Sequence, residues 1–295
     1  MGVCMAKFKS AAVLTAAMVM VVSSASSGSA GVSPYVTTVY AIGPTLNYIA
    51  QWNMNIGTWS VIGGPATEIY VGSPGLFKTL ADGSGIYRYS GTPNVWSQIG
   101  GPGEQFIVGG SHVYGVGPTS NYVAEWDGTG TGWTIIGGPA QVLYAGGYGL
   151  FATGPDDNGL FRYDGTPGQW TYIGDGTGEY AVSDTGLYEL NETTFDIEQW
   201  NASSDTWTVI GGPGALAIFA GATGVYYTDP DQNEEMYLGT PGHWEVISGP
   251  SGTYESSSTN LYAMGPTNNY VALYSGSGNV WSQIGGPAAQ IIAGG

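Results

Sequence analysis

Seven tryptophans, Trp59, Trp96, Trp133, Trp170, Trp207, Trp244 and Trp281, stand 37 residues apart without deviation. A strict period of that length means one supersecondary unit repeated, each copy too small to bury its own faces and obliged to stack on its neighbours. The unit at Trp133 reads WTIIGGP, QVLYAGG, GLFATGP, GLFRYDG and then TPGQ. Four short runs of aromatic and β-branched residues, each closed by Gly, Pro or Asp, are four strands joined by tight turns. In GTPGQW and GTPGHW the Pro-Gly pair suits the centre of a type II turn, with Pro167 and Pro241 fixing φ. After the first thirty residues no segment carries a helical apolar period, so the spacing predicts an all-β chain.

Four-stranded units of this size build propeller blades. The last tryptophan opens a fragment of 15 residues, WSQIGGPAAQIIAGG, which is read as two strands, and the 22 residues from Thr37 to Thr58 are read as the other two. Thr37 to Gly295 is 259 residues, seven times 37. The expectation is a seven-bladed β-propeller with four-stranded blades of 37 residues, one of them closed by N- and C-terminal strands. Closure of that kind removes exposed sheet edges.

The 51 glycines and 16 prolines fit a turn-rich chain, and a hydrophobic share of 42% supplies a core. Residues 1–30 read as a secretory leader: Lys7 and Lys9, an apolar run from Ala11 to Val22, then small residues to Ala30. Twelve apolar residues are too few to span a bilayer. A short linker, 31–36, and the propeller, 37–295, would follow, in a secreted, extracellular protein. The single cysteine, Cys4, leaves with the leader, which excludes disulfides, zinc-cysteine sites and cysteine nucleophiles. What remains carries Lys78, Arg88 and Arg162 against 22 acids, a formal charge of −19. Such a surface repels phosphate, so neither nucleic acid nor membrane insertion is expected. Asn191 and Asn201 open glycosylation sequons.

The tryptophan recurring in every unit, followed three residues on by Ile62, Ile99, Ile136, Ile173, Ile210, Ile247 or Ile284, is a packing residue. An earlier aromatic position varies: Trp52, Trp126 and Trp200 in one blade type, Tyr89 and Tyr163 in the other, then Tyr274, with Leu238 as the exception. Amphipathic rings there fit either a core or a stacking platform for a ligand. Asn47, Asn121 and Asn269, followed by Tyr48, Tyr122 and Tyr270, offer amides to sugar hydroxyls or else serve a turn. The run DPDQNEE at Asp229 has alternating oxygen ligands, but lacks the glycine and the final glutamate of a calcium loop, so no metal and no cofactor are expected. His112 and His243 fall at different repeat positions with no nucleophile motif beside them. Active sites are single irregular regions rather than seven similar ones, so the chain is not expected to be an enzyme. Two blades depart from the pattern, one with Asp175-Gly176 in place of Gly-Pro and one with the longer GPGALAIF.

With W-x-x-I-G-G, then IVGG, VYGV at Val113 and IYRY at Ile86, the unit resembles the tectonin repeat of tectonin and tachylectin-like propeller lectins, over Thr37 to Gly295. The prolines after the Gly-Gly turn, such as Pro65, Pro102 and Pro139, depart from it. The resemblance implies carbohydrate recognition at several equivalent sites, between blades and without metal, but carries over no sugar-contacting residue. The expected function is a secreted multivalent carbohydrate-binding protein, with glycans as partners. The alternative is a secreted protein-interaction or structural propeller without glycan binding. Pockets require the variable aromatic and amide groups to face solvent; a scaffold requires them buried.

Overall fold

A computed structural model describes residues 38–294. The expected leader and linker lie outside the described residues. Seven antiparallel sheets of four strands each form the blades of a propeller, and among the described residues the one helical element is a 3-10 turn at Pro155–Asp157.

In each blade the chain runs outward. The inner strands, Glu68–Gly72, Gln105–Gly109, Val142–Gly146, Glu179–Val182, Ala217–Gly221 and Thr253–Ser256 in blades 2 to 7, form the central ring together with Gln290–Ala293 of blade 1. The tryptophan of each repeat lies on the outer strand: Thr58–Gly63, Trp96–Gly100, Trp133–Pro139, Trp170–Gly174, Thr206–Gly211, Trp244–Ser248 and Trp281–Gly285 in blades 1 to 7. The 37-residue period is therefore right and its phase is not. A unit cut at tryptophan straddles two blades, because the outer strand of one is joined through the Gly-Gly-Pro turn to the inner strand of the next. Closure follows the same rule. Blade 1 takes one strand from the C-terminus and three from the N-terminal segment, Val39–Ile42, Ile49–Asn53 and Thr58–Gly63, rather than two from each.

The phase explains the Ile-Gly pair. The indole Nε1 of Trp133 donates to the carbonyl of Ile99 in the preceding blade at 2.7 Å, and Trp59 does the same to Ile284 across the closure at 2.7 Å. Trp170, Trp207, Trp244 and Trp281 repeat the bond. A Cβ on Gly100 would lie 2.7 Å from Trp133 Nε1, so the glycine after the isoleucine makes room for the neighbour's ring. Trp96 differs: its Nε1 makes no hydrogen bond, and Lys78 Nζ lies 4.8 Å from its ring centre. The invariant tryptophans thus lock blade to blade, as their packing role implies.

Alternation of the connections sorts the loops onto two faces. One, the proline face, gathers the Gly-Gly-Pro turns and the loops between second and third strands. The other, the hairpin face, gathers the remaining turns, including those in which Gly168 and Gly242 take φ of 79° and 78°, as a type II Pro-Gly turn requires.

Candidate functional site: clefts between blades

Third strands run from the proline face to the hairpin face, and this separates the residues picked out in the sequence. Asn47 and Tyr48, Asn121 and Tyr122, and Asn269 and Tyr270 lie where such strands begin, while Trp52, Trp126 and Trp200 lie where they end. Four residues of strand span about 13 Å, so the amides and the tryptophans do not share one site.

The tryptophans are 9%, 6% and 4% exposed for Trp52, Trp126 and Trp200. Each pairs directly with the outer-strand tryptophan of its own blade. Arg88 of blade 2 lies over the Trp126 ring and Arg162 of blade 4 over the Trp200 ring, each 5.5 Å from the ring centre. Between a neighbour's side chain and their own sheet these rings present no face to solvent, so packing, not stacking on a ligand, is the reading their burial supports. The seventh member of the series is Tyr237, which pairs with Trp244 as Tyr163 pairs with Trp170. Leu238 follows it, 53% exposed, and is not the exception the sequence implied. The chain lost its residue before Glu234, not after Tyr237.

Tyr237, like Tyr163 and Tyr274, is a half-buried member of this series. The residue opposite each second-strand aromatic ring, which reaches toward the next blade, is Arg88 in blade 2 and Arg162 in blade 4 but Gln199 in blade 5. Blade 1 carries the same amide, Gln51 opposite Tyr40, and between blades 5 and 6 a cleft of about 320 Å³ lies on the hairpin face. Tyr237, Tyr188, Gln199, Asp184, Thr185 and Thr223 are among its walls. One side of the Tyr237 ring rests on Trp244, with centroids 4.9 Å apart. Burial raises the Tyr188 and Tyr237 hydroxyls above their ordinary range, so both are neutral donors at physiological pH.

On the proline face the three asparagines are exposed. Asn121 has φ of 53°, the turn role open to it, whereas in the related loops the residue before the asparagine, Leu46 or Asn268, takes the positive φ. The Tyr48 and Tyr270 rings lie against Gly43 and Gly265, while Tyr122 is 46% exposed.

Blade 5 carries chemistry of a different kind. Glu189 and Glu198 stand directly opposite one another on neighbouring strands, with Glu189 only 7% exposed. Burial, then the charges of Glu198 and Asp175, push the Glu189 carboxyl up to about 7, and the Tyr180 hydroxyl donates to it at 3.4 Å. The replacement of Gly-Pro by Asp175-Gly176 was the visible sign of this irregular place; its partners were not, since they lie on strands of the following blade. In blade 6 Glu234 fills the apolar position of Leu160 and Ile197, 1% exposed, with one oxygen accepting from Thr228 at 3.0 Å. The acidic turn before it is held by Asp229, which accepts from the backbone and side-chain nitrogens of Asn233 at 2.7 and 2.9 Å. Among the described residues no group of three His, Cys, Asp or Glu is placed to hold a metal.

No family model and no curated protein matches the chain. Solved structures do. The chain is similar to a crystal structure of a puromycin hydrolase mutant complexed with PGG, at 12% identity and a TM-score of 0.63, covering 86% of this chain and 53% of that one. It is also similar to a Mycobacterium tuberculosis puromycin-hydrolyzing peptidase, at 12% identity and a TM-score of 0.57, covering 82% of this chain and 50% of that one. The chain thus spans about half the length of these structures, and at such identity the likeness shows the propeller fold, not the tectonin family. It also overturns the expectation that the chain is not an enzyme. That expectation rested on seven similar units excluding a catalytic centre, and the propellers matched here belong to proteins named for hydrolysis.

Proposed function

We propose that the chain is a secreted carbohydrate-binding propeller whose principal site is the cleft between blades 5 and 6. The observation that carries this reading is the pairing in one cleft of an aromatic ring, Tyr237, with an amide, a carboxylate and two hydroxyls, those of Gln199, Asp184, Thr185 and Thr223. A sugar has an apolar C–H face and a rim of hydroxyls. The ring supports the first, and the polar groups accept from and donate to the second. At two other junctions the corresponding ring is covered by Arg88 or Arg162, and at the junction of blades 1 and 2, where Gln51 and Tyr89 repeat the residue types, Tyr89 is buried, so the site is not copied unchanged around the ring. Secretion rests on the leader at residues 1–30, and the deficit of basic residues favours neutral or cationic glycans over anionic partners.

A glycan array on the mature chain, followed by titration of the best ligand, tests the reading. Tyr237→Ala and Gln199→Ala are expected to weaken binding at least tenfold with the fold intact by circular dichroism, whereas Asn121→Ala, on the opposite face, leaves it unchanged. Folded variants that bind like the parent, or an array without hits, would sink the proposal.

A further inference from the structure

A second cleft, of about 240 Å³, lies on the proline face between blades 3 and 4. Its walls include Pro139 and Ala140 from the blade 3 turn, and Ala152, Gly154, Phe161 and Trp170 from blade 4. The counterpart between blades 7 and 1 is built from the same positions: Pro287 and Ala288, then Ala41, Gly43, Ala50 and Trp59. The strand registers make the match residue by residue, Ala41 facing Ala50 as Ala152 faces Phe161.

The two differ in what lies over the glycine. In blade 1 it is the chain's own Tyr48: a Cβ on Gly43 would fall 2.3 Å from Cε1 of that ring, so the ring lies against the glycine, and about 10 Å³ remains. Tyr270 lies over Gly265 in blade 7 in the same way, its Cε1 2.5 Å from such a Cβ. In blade 4 the six-residue loop keeps its Gly-Pro start, but Gly159 stands where Tyr48 does, and Gly154 is covered by the small amide of Asn158 and the edge of Phe161, whose Oδ1 and Cε2 would lie 2.1 and 3.3 Å from a Cβ there. Glycine at the floor, proline at the rim and a tryptophan edge at the side form a slot shaped for a flat ring. Two other blades fill that slot from within.

We propose that the cleft between blades 3 and 4 binds a planar aromatic ring of phenol type from an external ligand, in the place that Tyr48 and Tyr270 take in their own blades. A slot bounded by backbone at a glycine admits a plane more readily than a puckered ring. Asn158 Oδ1, which lies over Gly154, accepts from the hydroxyl of a ring seated beside it among Pro139, Phe161 and Trp170.

The probes are p-cresol, its saturated counterpart 4-methylcyclohexanol, and N-acetyltyrosinamide, titrated by saturation-transfer NMR and by the shift of the Trp170 indole proton. The expected result is saturable p-cresol binding at least tenfold tighter than that of the saturated ring, with the Trp170 signal moving. Gly138→Tyr supplies a ring in cis; a Cβ there meets nothing within 4 Å, so the variant is expected to melt like the parent and to lose binding. Ala152→Val, which raises the floor, is the second blocking variant should the first misfold. Tighter binding of N-acetyltyrosinamide than of p-cresol assigns the ring to a peptide side chain, and the reverse order to a small phenol; both orders support the slot. Absence of saturable binding, equal binding of the saturated ring, or binding that survives in a folded blocking variant would overturn it. Because this slot and the sugar cleft lie on opposite faces, either can fail alone.

Discussion

At the scale of single residues, the recurring tryptophan is both filler and fastener. Trp133 closes the space against blade 2 and satisfies the Ile99 carbonyl, so Trp133→Ala is expected to cost about 3 to 5 kcal/mol, read from denaturant melts. Trp126→Ala should fall in the same range, since its ring is enclosed by Arg88 and Phe77; a change below about 1 kcal/mol would show that this ring is not core. The buried acids act through protonation. Burial, foremost, pushes Glu234 up to about 8, Glu189 up to about 7 and Glu255 up to about 8. The unfolded chain releases these protons near the ordinary value of 4.5, while the folded chain keeps them to pH 7 or 8. Their contribution is therefore full below about pH 4.5 and is lost as pH rises toward 8. Melting temperature should decline over that window, and Glu234→Gln should flatten the decline; an unchanged pH profile would show that Glu234 is not the group responsible.

Among elements, the inner strands are joined by side chains that imitate backbone. Gln290 of blade 1 accepts from the Ile69 N–H at 2.9 Å and donates to its carbonyl at 3.3 Å, and Gln105 of blade 3 does the same to Leu143 of blade 4 at 2.7 and 3.0 Å. Glu179 of blade 5 holds the corresponding place toward Ile218 but, as a carboxylate, can only accept, and burial raises its pKa. Blades are thus clamped in pairs, 1 with 2, 3 with 4 and 5 with 6. This is the physical content of the two alternating blade types, and it leaves blade 7 odd. Gln105→Ala should cost about 1 to 3 kcal/mol by orphaning a buried pair. Glu179→Gln should raise the melting temperature by completing the third clamp; a lower one would show that the acid is held by something the amide cannot replace.

The whole molecule depends on one strand from the C-terminal end. Gln290–Ala293 pairs with Val39–Ile42, and Gln290 also clamps blade 2. Deleting residues 290–295 exposes the edge of blade 1 and breaks the ring, so hydrogen exchange should quicken in distant blades as well as in blade 1. Acceleration confined to blade 1 would mean that the blades stand independently. Chelation, by contrast, should leave the melt unchanged, because Asp229, the most ligand-like acid of the acidic turn, is engaged with Asn233.

Strand content, blade number and the sharing of one blade between the termini were determined by local pattern: strands by aromatic and β-branched runs between turn residues, blade number by a period that strands alone impose. The packing of Trp133 was also legible, because a core position tolerates no exception across seven copies. The phase of the repeat was decided by tertiary structure, since nothing in a linear pattern distinguishes the connection within a blade from the connection to the next. So was the fate of the varying aromatic position. Whether a ring there is core or surface depends on what the neighbouring blade lays over it, as arginine lies over Trp126 and Trp200. Those partners stand some forty residues away along the chain, and only closure of the ring brings them together.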